Sequence, residues 1–280
     1  MHKNELIAKC HAIANETGID FNSVLTHYFL ESILEKIASS EEKNNFIFKG
    51  GFILSNIIGI RERTTKDIDF IIRNFKLTEE EIKQKLLKIF SSGKDNGVTY
   101  EIKGITKILN EDEYGGFRVN ILCKLDNLKK TIKIDIATGD LITPNEIEYR
   151  YKSLFTDEYF EICSYNIETI IAEKIHILYD KSLFNSRMKD FYDIYILFHL
   201  KKDEINFRIL KKACENTFKY RNTEFDIDKI IKTTQLIQNE ERIRKQWTNY
   251  QKQFPYASAI EFENVIKTVD KVLQEINSIS

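Results

Sequence analysis

This 280-residue chain has only two prolines, one tryptophan and two methionines, and none of its ten glycines falls after Gly139. Nothing in the second half asks for glycine's backbone freedom, and only Pro144 and Pro255 interrupt it, so that half reads as helical. The first half mixes strands, turns and helices. The four cysteines, Cys10, Cys123, Cys163 and Cys214, lie far apart with no CxxC spacing. That argues against a disulfide framework and fits reduced thiols in the cytoplasm. The five histidines show no metal-ligand spacing, and His176 and His199 read as ordinary helix residues. No apolar run approaches the length that spans a bilayer, and the opening MHKNELIAKC lacks a signal-peptide apolar region, so no membrane role is expected. Charge is balanced at a formal −1, so no global field draws the protein onto nucleic acid. Neither repeats nor low-complexity segments are present.

The length supports one large or two modest domains. The composition shift places a boundary between 145 and 165, dividing the chain into a catalytic N-terminal part, 1–150, and a helical part, 151–280. Helices are expected over 3–15, 22–39, 52–58, 78–91, 166–180, 186–200, 204–218, 226–238, 239–252 and 258–277. Strands are expected over 46–48, 98–109, 117–123 and 130–137, with another carrying the acids of the next paragraph.

The most informative stretch is KGGFILSNIIGIRERTTKDIDF, residues 49 to 70. Gly50 and Gly51 follow the apolar run Phe46, Ile47, Phe48, and a short helical segment follows them. Asp67 and Asp69 then flank Ile68 on a second strand-like run. Residues two apart on a strand share a face, which puts these carboxylates side by side, roughly 7 Å apart at Cα. Their repulsion calls for compensation, and a pair of oxygens on a rigid strand suits Mg²⁺ completed by water and phosphates. The glycines let backbone N–H groups approach a triphosphate at a helix N-terminus. Alone, DxD is a common solvated strand edge and GG a common turn; their order and spacing join them into a metal–triphosphate site.

Within TIKIDIATGD, residues 131 to 140, Ile132, Ile134 and Ile136 alternate with Lys133 and Asp135. Asp135 is the candidate third carboxylate, able to bind a metal or accept a hydroxyl proton. The competing reading makes Asp135 and Lys133 an ordinary solvated strand face.

These residues resemble the nucleotidyltransferase superfamily and, more narrowly, the AbiEii-type abortive-infection toxins of type IV toxin–antitoxin systems. The resemblance rests on the Lys-Gly-Gly start and the Arg-x-Thr-x-Asp-apolar-Asp arrival. The fifteen residues between Gly51 and Asp67 are close to the spacer of that subfamily. Phe52 departs from the subfamily's usual small residue, which leaves hydroxyl help at the phosphates to another residue such as Ser55.

Two helical motifs extend the resemblance. In NIETIIAEKIHILYD, with Asn166 as N-cap, Lys174 shares a stripe with Ile167, Ile170, Ile171 and Leu178. A lysine there either snorkels or has an anionic partner, and the resemblance implies nucleotide phosphates. In SRMKDFYDIYILFHL, Arg187, Asp190 and Asp193 cluster near the start of a helix. Read alone this is an exposed helix with ion pairs. The resemblance implies instead that Asp190 orients Lys174 or the nucleotide, with Asp193 as neighbour and Arg187 at phosphate. Residues 208 to 252 also carry eleven Lys or Arg against six Asp or Glu, interleaved with Phe218, Tyr220, Trp247 and Tyr250. That pattern suits either an RNA end or a packed amphipathic helix with solvated charges.

The expected fold is α+β: a nucleotidyltransferase-like mixed sheet flanked by helices, then a mostly helical C-terminal domain, with the active site in the cleft between. The resemblance implies a cytoplasmic enzyme using an NTP and one or two Mg²⁺ ions. It also implies an RNA acceptor, the tRNA 3′ end, so that translation is blocked, and a cognate antitoxin that acts on transcription without stably binding the toxin. The alternatives are a nucleotidyltransferase acting on a small molecule or protein hydroxyl, and a non-catalytic RNA-binding protein that keeps the fold.

Overall fold

The computed structural model describes residues 1–108 and 115–279. Leu109, the last residue of the strand expected over 98–109, lies outside them. The chain divides into two compact units, Met1–Gly139 with Glu146–Tyr165, and Asp140–Asn145 with Asn166–Ser280.

The first unit opens with α1 (Lys3–Thr17) and α2 (Phe21–Ala38), followed by β1 (Phe46–Lys49), α3 (Gly50–Ile58), β2 (Asp67–Ile72) and α4 (Glu79–Ser92). Five strands complete it: β3 (Thr99–Ile108), β4 (Gly116–Leu125), β5 (Leu128–Ala137), β6 (Ile147–Lys152) and β7 (Tyr159–Ser164). All seven strands form one mixed sheet in the order β3-β4-β5-β2-β1-β7-β6. Only β2 with β5 and β1 with β7 run parallel; the other neighbours are antiparallel. Period-two alternation drives β4 and β5, whose Val119, Ile121, Ile132, Ile134 and Ile136 are buried while the residues between them are not. α2 is buried around most of its circumference and so is apolar on more than one stripe. Phe52, the residue that departs from the family pattern, is fully buried in an aromatic cluster, with its ring 5.7 Å from Phe48 and 5.9 Å from Tyr151. Core packing accounts for it.

The sequence pattern does not announce β6 and β7. In β6, IEYRYK, only Tyr151 is buried, so the apolar alternation that marks a strand is absent from this edge of the sheet.

The second unit is helical: α5 (Ile167–Lys181), α6 (Met188–Lys201), α7 (Phe207–Tyr220), α8 (Ile227–Asn239), α9 (Glu241–Gln253) and α10 (Phe262–Ser278). Asn166 caps α5, its side chain accepting from the Thr169 N–H at 2.8 Å. α10 shows the clearest helical periodicity, burying Phe262, Val265, Ile266, Val269, Val272, Leu273 and Ile276. Left-handed backbone does occur after Gly139, at Ser182 (φ 42°) and Asn222 (φ 52°), so small polar residues fill the helix-end positions that glycine often takes.

A buried polar network ties α2 to the β6–β7 hairpin. Glu31 accepts from the Leu154 N–H at 2.9 Å, from Tyr151 Oη at 3.3 Å and from the Ser153 hydroxyl. Burial raises the Glu31 carboxyl from 4.5 to about 7, against the opposing pull of those donors. The unfolded chain therefore loses this proton at a lower pH than the native protein, and stability falls as pH rises between about 4.5 and 7, by up to ~3 kcal/mol. Glu31→Gln is expected to flatten that slope, measured as the denaturation midpoint at pH 5 and pH 7.5.

Candidate active site

The site begins where β1 gives way to α3. Gly50, the first residue of α3, has φ +77°, and a Cβ built on it would lie 2.0 Å from Asp69 Oδ2. Any other residue would strain the backbone and collide with the carboxylate. A Cβ on Gly51 would lie 3.1 Å from Arg63 Nη2 and 3.3 Å from Thr65 Oγ1. Both glycines therefore permit close approach, bringing the N-terminus of α3 against the acids of β2. The first N–H groups of a helix lack partners within it and carry partial positive charge, which suits an anion.

Asp67 and Asp69 alternate with the buried Ile68 and Phe70 and share the opposite face. Sheet register sets Asp69 beside Asp135 on β5, Lys49 on β1 beside Asp69, and Arg118 on β4 beside Asp135. The result is a row across four strands, Lys49–Asp69–Asp135–Arg118, with the two acids inside and a cation at each end. Arg118 pairs bidentately with Asp135, Nε and Nη2 donating at 2.7 and 2.6 Å. Its guanidinium is held above its ordinary range, first by that hydrogen bond and then by the charges of Asp135, Asp67 and Asp69, with burial opposing. Thr65 Oγ1 donates to Asp67 Oδ1 at 2.6 Å, and Lys49 Nζ lies 5.2 Å from the Tyr165 ring centroid.

Three expectations meet this geometry differently. Asp67 and Asp69 sit on one face as the spacing requires, and Asp135 is in register with Asp69. Yet among the described residues no three His, Cys, Asp or Glu side chains make a metal-holding group. Adjacent carboxylates need compensation, and Arg118 supplies it to Asp135. Ser55 is 1% exposed with no partner for its hydroxyl; Thr65 is the residue that brings a hydroxyl to the acids. Sequence reasoning assigned no role to Lys49, Arg63, Thr65 or Arg118. Arg118 occupies a polar phase of the β4 alternation, but only strand pairing reveals its partner.

In the second unit, Lys174 Nζ donates to Asp190 Oδ1 at 2.9 Å and to Asp193 Oδ2 at 2.7 Å, and Arg187 Nε donates to Asp190 Oδ2 at 2.7 Å. The Lys174 side chain is 11% exposed, Asp190 1% and Asp193 0%. Burial alone would push the Lys174 ammonium down, but the two aspartates outweigh it and hold the group above its usual range. For Asp190, burial works upward and is overcome by Lys174 and Arg187, leaving the carboxyl below its ordinary value. Lys174 does not snorkel, then; it is fixed between two acids, with at most one ammonium proton left for a ligand. Of the aromatics of 208–252, Phe218, Trp247 and Tyr250 are buried, and Trp247 Nε1 donates to the Ile260 carbonyl at 2.9 Å; Tyr220 is half-buried, with the Arg221 guanidinium 6.0 Å from its ring centroid. No helix is long and apolar enough to cross a membrane among the described residues.

The fold is that of the nucleotidyltransferases. A protein from H. pylori, provisionally called a nucleotidyltransferase, superposes with a TM-score of 0.50 at 15% identity, over 94% of this chain and 99% of its own. JHP933 from Helicobacter pylori matches with a TM-score of 0.49 at 16% identity, over 91% and 94% of the two chains. No curated protein matches in sequence. The model for "Nucleotidyl transferase AbiEii toxin, Type IV TA system" matches residues 32–275, and the chain belongs to that family. It is a nucleotidyltransferase enzyme of the toxin class. The family implies an NTP substrate and a cognate antitoxin.

Gly50→Ala should displace Asp69 and reduce nucleotide transfer by about 100-fold or more, as misplacement of ~1 Å does elsewhere; initial rates with labelled NTP read this, with the circular dichroism spectrum unchanged. Asp190→Asn leaves Lys174 with one acidic partner instead of two and should cost about 3 kcal/mol by chemical denaturation, in the range for breaking a buried ion pair.

Proposed function

We propose that this protein is a Mg²⁺-dependent nucleotidyltransferase that adds nucleotides from an NTP to the 3′ end of an RNA, with tRNA as the acceptor and arrest of translation as the result. The observation that carries the reading is the contact of Gly50 with Asp69, because it puts a helix N-terminus suited to phosphate directly against acids suited to a cation.

The donor set fits a hard divalent ion. Asp67 and Asp69 offer carboxylate oxygens from one rigid strand, and Asp135 stands beside them in register. Bound there, such an ion would supply charge neutralisation at the α-phosphate and lower the barrier to deprotonating the attacking hydroxyl. The protein's own groups account for the rest. Backbone N–H groups at Gly50 and Gly51 hold triphosphate oxygens, and Thr65 keeps Asp67 turned into the site. The RNA 3′ oxygen bonds to the α-phosphorus as pyrophosphate leaves, and its proton passes to a carboxylate. Both Asp135 oxygens accept from Arg118, and each keeps a second lone pair, which suffices for a ligand or for that proton. Within the second unit, Lys174, held by Asp190 and Asp193 with Arg187 alongside, keeps at most one ammonium proton for an anionic ligand such as a nucleotide phosphate. The companion antitoxin acts on transcription and does not bind the toxin stably.

Incubating the purified protein with each labelled NTP, Mg²⁺ and total RNA tests the reading. Label is expected on tRNA-sized RNA, lost with Asp67→Ala and with EDTA. Label on protein or small molecules with none on RNA would replace the acceptor; transfer unaffected by Asp67→Ala would remove the catalytic assignment.

A further inference from the structure

Three of the four aromatics singled out in 208–252, Phe218, Trp247 and Tyr250, are buried in packing, which leaves that segment a poor platform for a run of bases and turns attention to other surfaces. The sheet of the first unit offers one. The alternation that buries Ile132, Ile134 and Ile136 turns Lys129, Thr131 and Lys133 to the opposite, exposed face, on the same strand phase as Asp135. Register adds Lys124 beside Lys129 and Asn120 beside Lys133 on β4. On β3 the pairing shifts between Ile102 and Gly104, and the intervening Lys103 reaches Glu101 at 2.5 Å. Lys124 reaches the same Glu101 at 3.3 Å. Glu101 is therefore answered twice, whereas Lys129 and Lys133 stand exposed on β5, Lys133 beside Asp67 in the sheet register.

Among the described residues, Lys103, Lys124 and Lys129 face Glu101 away from the acids, a surplus of two positive charges on one open sheet face, and Lys133 stands between them and Asp67, its register partner on β2. That face is continuous with the catalytic row, because β5 runs from Lys129 through Lys133 into Asp135, about 20 Å at ~3.3 Å per residue. We infer that this face of β3, β4 and β5 seats the phosphate backbone of the RNA acceptor, with the strand lying along β5 and its 3′ end at the acids. The inference rests on the proposed RNA acceptor and locates it. Charge and continuity single out the occupant. A polyanion is attracted to the lysines, and only one whose terminal hydroxyl must reach Asp69 and Asp135 gains from a track that ends there. No aromatic side chain lies on the track, so it holds phosphates rather than bases, and binding is tolerant of sequence and sensitive to salt.

The test uses the full chain and a fluorescein-labelled single-stranded RNA with a free 3′ hydroxyl, its affinity followed by anisotropy across a KCl series. Lys129→Glu, clear of the acids, should weaken binding by about fivefold or more at low salt and reduce the salt slope by about 0.7, one lost phosphate contact. Binding of a fluorescent NTP should not change, which also reports that the variant is folded. Lys212→Glu with Lys245→Glu, on the exposed basic surface of α7 and α9, should stay within about twofold of the parent. Unchanged RNA affinity in the β5 variant, or a loss confined to the α7 and α9 variant, overturns the assignment. So does equal binding of polyglutamate by the same lysines, which would make the face a site for an acidic protein. A parent protein that binds the NTP but no RNA at any salt refutes the RNA acceptor itself, a distinct result.

Discussion

Carboxylates placed side by side on a sheet repel, and the first unit is arranged around that repulsion. At ~7 Å spacing along one strand, with a third acid on the next strand in register, the three charges destabilise the bare sheet unless something positive stands near. The protein meets this in layers. Arg118 forks onto Asp135, Lys49 takes the neighbouring register position beside Asp69, Thr65 donates to Asp67, and the N-terminus of α3 comes up against Asp69 at Gly50. The demand still left suits a divalent cation carrying polyphosphate.

That arrangement explains why the glycine pair matters beyond making a turn. Gly50 allows the helix to begin in contact with Asp69, so a helix N-terminus and a carboxylate occupy one spot. The second unit solves a similar problem in the opposite way: Lys174 is nearly buried, and two aspartates are buried with it to keep it charged. Such a pair is weak evidence for stability, since desolvation offsets most of its attraction. Its value lies in fixing a cation in one orientation.

The electrostatic character of the molecule is local throughout. A near-neutral chain gives no overall attraction for nucleic acid, but one sheet phase carries lysines and the next carries isoleucines, so a basic track arises from strand alternation alone. The same alternation delivers Asp135 to the site. Asp135 and the exposed lysines of β5 are therefore coupled by geometry, and a one-residue slip of the strand would lose both.

Local pattern determined a good deal: the helices, the Asn166 cap on α5, the strand phase that sets Asp67 and Asp69 together, and the glycine pair at the start of a helix. Each depends on neighbours within a few residues, where periodicity and steric rules act directly. The stripe that carries Lys174 was visible, and so was the cluster of Arg187, Asp190 and Asp193, but not which charges would meet. Tertiary structure alone decided that Arg118 takes Asp135, that Thr65 rather than Ser55 faces the acids, that β6 and β7 extend the sheet, and that Trp247 and Phe218 serve packing. Those outcomes turn on partners sixteen or more residues apart for Lys174 and Arg118, and on strand register and burial, which no local propensity encodes.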